Sequence, residues 1–343
     1  MKKLVAAVLA LLTLSLCAGA LAEGSITVFN WYDYIDESVI SMFEQETGIK
    51  VKYANFTTNE EMYAKISSGA GEYDVIFPSD YIIERMIKEG LLEELDKSAI
   101  PNAEGVSDWL RTPDYDPDSA YSVPYMWGTV GLLYNTTMMS GEIDSWAPIF
   151  DPANQKSVFM LDSIRDSLGV ALKYLGYSMN TRDQAALDAA KALLVKQKAD
   201  GIVKGYLVDE VKDKMVAGEA PMAVVWSGDA LYAMDQSEDL AYVVPQEGSN
   251  VWVDGMCIPK GSKNKALAEQ FINFMCRPDV ARMNMEYIYY STPIQAVVDG
   301  MTDEEKNNAT LNPPQEVIDR CEFFHDISED MAKYDQIWME IRS

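Results

Sequence analysis

Aromatic residues and carboxylates recur in this chain where short apolar runs end. The set is Trp31, Tyr34, Tyr81, Trp226 and Trp252, with Asp33, Asp166, Asp229 and Asp254. The stretches that carry them, 31–34, 79–81, 162–166, 226–229 and 252–254, hold no lysine, and Arg165 is their single arginine. An aromatic face attracts a cation, worth ~0.5–2 kcal/mol when water is excluded. Carboxylates give ammonium groups charge-assisted hydrogen bonds, about twice as strong as neutral ones. An aliphatic amine keeps its proton at neutral pH, as lysine does. Rings that wrap methylenes, with acids at intervals, therefore suit a flexible diamine or triamine. The sharpest piece is Trp252-Val253-Asp254. Strand alternation puts Trp252 and Asp254 on one side, and an acid beside a tryptophan in an apolar run needs a partner.

Each piece has a plainer reading. Trp31 ends a strand and serves a core equally well. Ser79 with Asp80 suits a helix cap. Asp162 and Asp166 share a face if both are helical, and solvated acids are common there. Two further chemistries compete for the whole set. A carboxylate pair runs glycoside hydrolysis, although no matching motif is present. Tyr287, Tyr289 and Tyr290 raise ferric-ion capture by tyrosinates, although neighbouring tyrosines commonly pack. His325 is the one histidine, so any Ser-His-Asp triad has to use it; it reads as a surface residue. Neither a metal nor a cofactor is expected.

The elements that must position these residues alternate. Ile26–Trp31 reads as a strand. Asp36 caps a helix over Glu37–Thr47, which Gly48 ends. Ile49, Val51 and Tyr53 alternate as a second strand. Helices follow over Asn59–Ser67 and Ser79–Lys88, around a strand at Tyr73–Phe77. The second half repeats the style. Its strands are expected at Val130–Tyr134, Val158–Leu161, Met222–Trp226 and Ala241–Val244. Its helices are expected at Ile164–Leu175, Gln184–Lys198, Asp209–Ala217 and Lys263–Met275. Strands separated by helices predict an α/β fold with parallel, doubly wound sheets. Ligands of such sheets sit beyond the carboxyl ends of the strands, where the aromatic and acidic residues fall.

The 343 residues exceed one ordinary core and predict two lobes. The expected division is 23–128 plus 256–297 against 129–255 plus 298–343. Chain crossings are expected near Trp127–Gly131, Asp254–Cys257 and Gln295–Asp299. Met1-Lys2-Lys3 and the apolar run that follows read as a secretory leader over 1–22, with Ala20-Leu21-Ala22 as the cleavage pattern. Export places the mature chain in the periplasm or another extracytoplasmic space. A lipid anchor at Cys17 is the less favoured alternative, because Leu16 is too large for the residue before a lipidated cysteine. Cys257, Cys276 and Cys321 are too few and too odd for a disulfide framework. The formal charge of −26 repels nucleic acid and anionic lipid and attracts cations.

In this order the motifs resemble the spermidine/putrescine-binding proteins of bacterial ABC importers. The resemblance is carried by Phe29-Asn30-Trp31-Tyr32-Asp33-Tyr34, by Phe43 through Val51, and by Tyr73 through Ser79. It continues in Val123-Pro124-Tyr125-Met126-Trp127-Gly128, Trp226-Ser227-Gly228-Asp229, Pro245-Gln246-Glu247-Gly248 and Trp252-Val253-Asp254. Asn273-Phe274 and Arg277-Pro278-Asp279-Val280-Ala281 close it. It implies a two-lobed periplasmic-binding-protein (type II) architecture with a hinge and a cleft that closes on ligand. A single, monomeric chain would carry a polyamine to the permease subunits of an importer, with no chemistry done on it. By resemblance Trp31, Tyr34, Trp226 and Trp252 line the channel, and Asp254 binds an inner amine. Ser79 and Tyr81 contact one end, and Asp166 binds a terminal ammonium. Tyr32, Asp33, Asp229 and Tyr290 complete the expected ligand-binding set. Ser163 stands where a spermidine-type pattern often has a second acid, unless Asp162 turns inward. Asp229 looks putrescine-type, while Tyr81 and Trp252 look spermidine-like. Tyr32 replaces a smaller hydroxyl residue. Nothing is carried over for the stretch around Phe323-Phe324.

Overall fold

The computed structural model describes residues 24–69, 71–141 and 143–343. The expected leader, its cleavage site and Cys17 lie outside the described residues. The first lobe is wound from β1 (Gly24–Trp31), α1 (Glu37–Thr47), β2 (Ile49–Phe56), α2 (Asn59–Ser67), β3 (Val75–Ile76) and α3 (Asp80–Lys88). Local chemistry sets these bounds. The Asp36 carboxylate accepts from the Ser38 amide at the start of α1, and Gly48 closes its end in the left-handed conformation at φ 75°. Thr58 caps α2 in the same manner as Asp36 caps α1.

A long strand, β4 (Ser122–Asn135), then leaves the first lobe. The second lobe follows as β5 (Val158–Leu161), α4 (Ile164–Tyr174), α5 (Gln184–Ala199), β6 (Val203–Leu207), α6 (Val211–Val216), β7 (Met222–Trp226), α7 (Ser227–Gln236) and β8 (Leu240–Val243). The chain returns through β9 (Val251–Cys257) to α8 (Lys265–Met275), α9 (Pro278–Ile288) and α10 (Gln295–Asp299). It finishes on α11 (Met331–Arg342).

The strand order is β2-β1-β3-β9-β4-β7-β5-β6, with β8 paired to β4. β1 runs parallel to β2 and β3, and β5 runs parallel to β6 and β7. The expected parallel winding therefore holds within each lobe. The strands that join the lobes, β4 and β9, run antiparallel to each other and to their neighbours. β4 pairs with β9 over Ser122–Thr129 and with β7 and β8 over Val130–Asn135. The register slips between Pro124 and Met126, as a proline without an N–H forces in a paired strand.

Each lobe has its own core. Phe29, Phe43, Phe77, Cys257 and Phe271 are buried in the first. Trp146, Leu161, Leu168, Leu187 and Tyr334 are buried in the second, with Phe159, Val225 and Ala230 on the other face of that lobe's sheet. The crossings follow from these memberships. β4 passes from the first core at Trp127 to the second at Val130. On β9, Val251 and Val253 belong to the first core, and Trp252 between them belongs to the second. Val297 and Met301 are in the first core, and Val298, Leu311, Ile318, Cys321 and Phe323 pack against it. Ile327, Tyr334, Ile337 and Ile341 belong to the second core. The change comes where Glu322 bridges to Asn250, with Glu322 N donating to Ser249 O at 2.9 Å.

Candidate ligand-binding site

β9 and the residue before it carry the central row of the candidate site. Asn250, Trp252 and Asp254 lie two residues apart along extended chain and so project to one face. Each meets groups from a different element. Asp254 is 6% exposed. Its Oδ1 accepts from Ser79 Oγ at 2.6 Å, and its Oδ2 accepts from Tyr34 Oη at 2.8 Å. Burial pushes its carboxyl up to about 6, against the pull of those two donors. Ser79 immediately precedes α3 but makes no side-chain cap bond to it. Asn59 holds Ser79 instead, with Nδ2 donating to Ser79 Oγ at 3.0 Å and Oδ1 accepting from Ser79 N at 3.2 Å. Neighbouring Asp80 is fully buried and ties α3 to β9, accepting from Tyr81 N and Val253 N.

Trp252 meets Tyr290 edge to face, with ring centroids 4.9 Å apart, and Tyr290 in turn meets Tyr34 at 5.9 Å. Tyr125 backs Tyr34, donating to Tyr34 O at 2.8 Å with rings 5.5 Å apart. Two glycines make room for this aromatic row. A Cβ on Gly128 would lie 2.7 Å from Trp252 Cζ2, and one on Gly228 would lie 2.4 Å from Tyr290 Cε1. Trp226, half-buried, ends β7 opposite Val130 on β4.

At the far end Asp166, 5% exposed, lies in the first turn of α4. Its Oδ2 accepts from Ser163 Oγ at 2.7 Å, and its Oδ1 accepts from Asn250 Nδ2 at 3.4 Å. Desolvation raises its pKa, opposed by those donors and by Arg165. Asn250 Oδ1 and Trp252 Nε1 are buried without a protein partner. Among the described residues no Lys, Arg or His nitrogen lies within 4.0 Å of Asp166 or Asp254. Such buried acids favour a cation. Asp229, in the first turn of α7, is 9% exposed. Burial pushes it up to about 7, with Lys212 pulling down and Asp209 pushing up.

Most of the expected residues thus converge: Tyr34, Ser79, Asp254, Trp252 and Tyr290 form one connected group, with Asp166 joined to it through Asn250. Tyr81 extends it, accepting from Asn59 Nδ2 at 3.1 Å. Trp31 is half-buried and donates from Nε1 to Phe77 O at 2.8 Å, beside the strand end that leads to Ser79. Tyr32 and Asp33 do not join them. Tyr32 is 72% exposed, and Asp33 turns outward at φ 52° to accept from Tyr287 Oη at 3.0 Å. β1 ends at Trp31, and the turn after it carries the next two side chains into solvent. Asp162 also faces away and pairs with Arg342 near the C-terminus; it precedes α4 and so shares no helical face with Asp166. The three tyrosines of the ferric-ion alternative diverge: Tyr287 bonds Asp33, Tyr289 bonds Asp235, and Tyr290 packs in the aromatic row.

Sequence reasoning missed Asn59, Tyr125 and Asn250, whose partners are distant in the chain. It also missed Phe324 and the use made of Arg165. That guanidinium lies 4.2 Å from the Phe324 ring centroid and 5.4 Å from that of Tyr81. It donates to His325 O and Asn180 Oδ1. His325 itself meets Glu84 of α3.

Residues 38–313 match the family model described as bacterial extracellular solute-binding protein. The chain is 34% identical over 340 residues to a spermidine/putrescine-binding periplasmic protein of Salmonella typhimurium, covering 96% of this chain and 97% of that one. Among solved structures it superposes on the spermidine/putrescine ABC transporter substrate-binding protein PotD of Streptococcus pneumoniae with a TM-score of 0.83 and 35% identity, covering 93% of this chain and 99% of that one. The TpPotD lipoprotein of Treponema pallidum gives a TM-score of 0.83 at 27% identity, covering 92% and 99%. The two wound lobes, the strands that join them and these likenesses agree: the chain belongs to the bacterial extracellular solute-binding protein family.

Proposed function

We propose that this protein captures a polyamine, putrescine or spermidine, in an extracytoplasmic space and delivers it unchanged to the permease subunits of an ABC importer, acting as a monomer. The observation that carries the reading is Asp254: a buried carboxylate, oriented by Ser79 and Tyr34, flanked by Trp252 and Tyr290, with no basic side chain to neutralise it. An inner or terminal ammonium completes that cluster. Asp166, with the unpaired oxygen of Asn250 beside it, takes a second ammonium, and the rings between them cover the methylenes. The names of the relatives, spermidine/putrescine-binding proteins among them, support the same ligand class. Selectivity leans to putrescine. Ser163 caps α4 and donates to Asp166, while Asp162 is engaged with Arg342. The far end therefore offers one carboxylate, and a third ammonium left unpaired in a closed site is costly. Native mass spectrometry of protein purified under mild conditions tests the reading: a bound polyamine supports it, and a bound sugar or anion contradicts it.

A further inference from the structure

Lys212 is a basic side chain set against Asp229, one of the expected ligand-binding residues. It lies on α6, and its Nζ is 3.8 Å from Asp229 Oδ1, with the two side chains only 27% and 12% exposed. The same Nζ sits 5.3 Å from the ring centroid of Tyr232, three residues beyond Asp229 on α7. A carboxylate on one side and an aromatic face on the other is the environment that a ligand's ammonium would require. Asp229 makes no hydrogen bond to another side chain or backbone group among the described residues, so the lysine is its main compensation. Asp209, just ahead of α6, adds negative charge to the same corner and opposes Lys212 in its effect on Asp229. Gly228, next to Asp229, connects this corner to the aromatic row through Tyr290.

We propose that Lys212 is a specificity-determining residue that occupies the Asp229 subsite as an internal ammonium. The subsite is then closed to a ligand amine until Lys212 swings out. This deepens the proposed function and rests on it. Asp254 and Asp166 hold the ligand in the unmodified protein, and Asp229 contributes little while Lys212 covers it. The pair is long for an ion pair and makes no hydrogen bond, so its displacement is within reach of a small change.

The test is calorimetric titration of putrescine and of spermidine into the full chain, its Lys212→Met and Lys212→Arg variants, Asp229→Asn, and the double variant Lys212→Met/Asp229→Asn. Lys212→Met should bind at least one of the two amines more tightly by about three- to tenfold, the worth of a partly screened ion pair. Lys212→Arg should stay near the unmodified protein, Asp229→Asn alone should change little, and the double variant should lose the gain. Equal affinities in Lys212→Met and the parent, or a large loss on Asp229→Asn alone, would overturn the inference while leaving the proposed function standing. Absence of polyamine binding in the parent and every variant would instead overturn the proposed function, and the inference with it.

Discussion

Replacing Asp254 by asparagine keeps the side-chain shape and removes the charge. The Ser79 and Tyr34 hydroxyls sit 2.6 and 2.8 Å from its oxygens and rotate to meet an amide as readily as a carboxylate. The local fold should therefore survive. In the empty protein the carboxylate is poorly solvated. Burial moves it from 3.8 to about 6, and at ~1.4 kcal/mol per unit its ionised form carries a cost of order 3 kcal/mol. Asparagine escapes that cost, so the empty variant should unfold at higher temperature than the parent. Binding should move the other way. Truncating a buried charge pair typically costs ~2–5 kcal/mol, which is a loss of affinity of about 30- to several-thousand-fold. Calorimetry for putrescine and spermidine, together with thermal melts of empty protein, reads both effects on one sample. A variant that binds as tightly as the parent refutes the placement of the ammonium at Asp254. A variant that neither binds nor melts higher shows that the charge supports the fold instead.

Binding should also depend on pH. Burial pushes Asp254 up to about 6. Acidification below that value protonates it and removes the ammonium's counter-charge, so affinity should fall by about tenfold per pH unit. Because that value lies above the 3.8 of an unfolded chain, the stability that the bound proton gives the empty protein is lost as pH rises from 3.8 through about 6. The rise in melting temperature on adding ligand should therefore grow as pH rises through that window, and a constant rise argues against Asp254. Gly228→Ala should weaken binding at least tenfold, because the new Cβ would stand 2.4 Å from Tyr290 Cε1 and must displace that ring; an unchanged affinity would place Tyr290 outside the site. The β4 and β9 crossings should act as a hinge, so small-angle scattering should show a smaller radius of gyration at saturating polyamine, and superimposable curves would contradict closure.

Much of the wound part of the fold was legible because it is written in local chemistry. Asp36 and Gly48 mark both ends of α1, and the run Val158–Leu161 is short, apolar and bounded. The full length of β4 was not legible, because Pro124 and Gly128 interrupt the pattern that a strand reader follows, and tertiary pairing with β9 and β7 overrides them. α11 was missed because apolar and charged residues are mixed along Met331–Arg342, and its packed face shows only where Tyr334, Ile337 and Ile341 reach the second core. The crossing at Glu322–Asn250 leaves no local mark at all. In the site, the rule that ligands gather beyond strand ends picked Tyr34 and Ser79, which the structure brings against Asp254 inside β9. It also swept in Tyr32 and Asp33, since it locates a segment without saying which way a turn points its side chains. Lys212, Asn59 and Asn250 act through contacts far apart in sequence, and only the folded chain brings them to their partners.

The most direct test of a protonated polyamine between Asp254 and the aromatic row, released unaltered, is calorimetric titration of the protein, freed of any carried-over ligand, with putrescine and spermidine at one ionic strength, followed by mass analysis of the recovered amine. Saturable, stoichiometric binding of at least one amine, recovery of that amine intact, and tighter binding of putrescine are expected. Heats of dilution alone for every polyamine, or recovery of a modified amine, would contradict it.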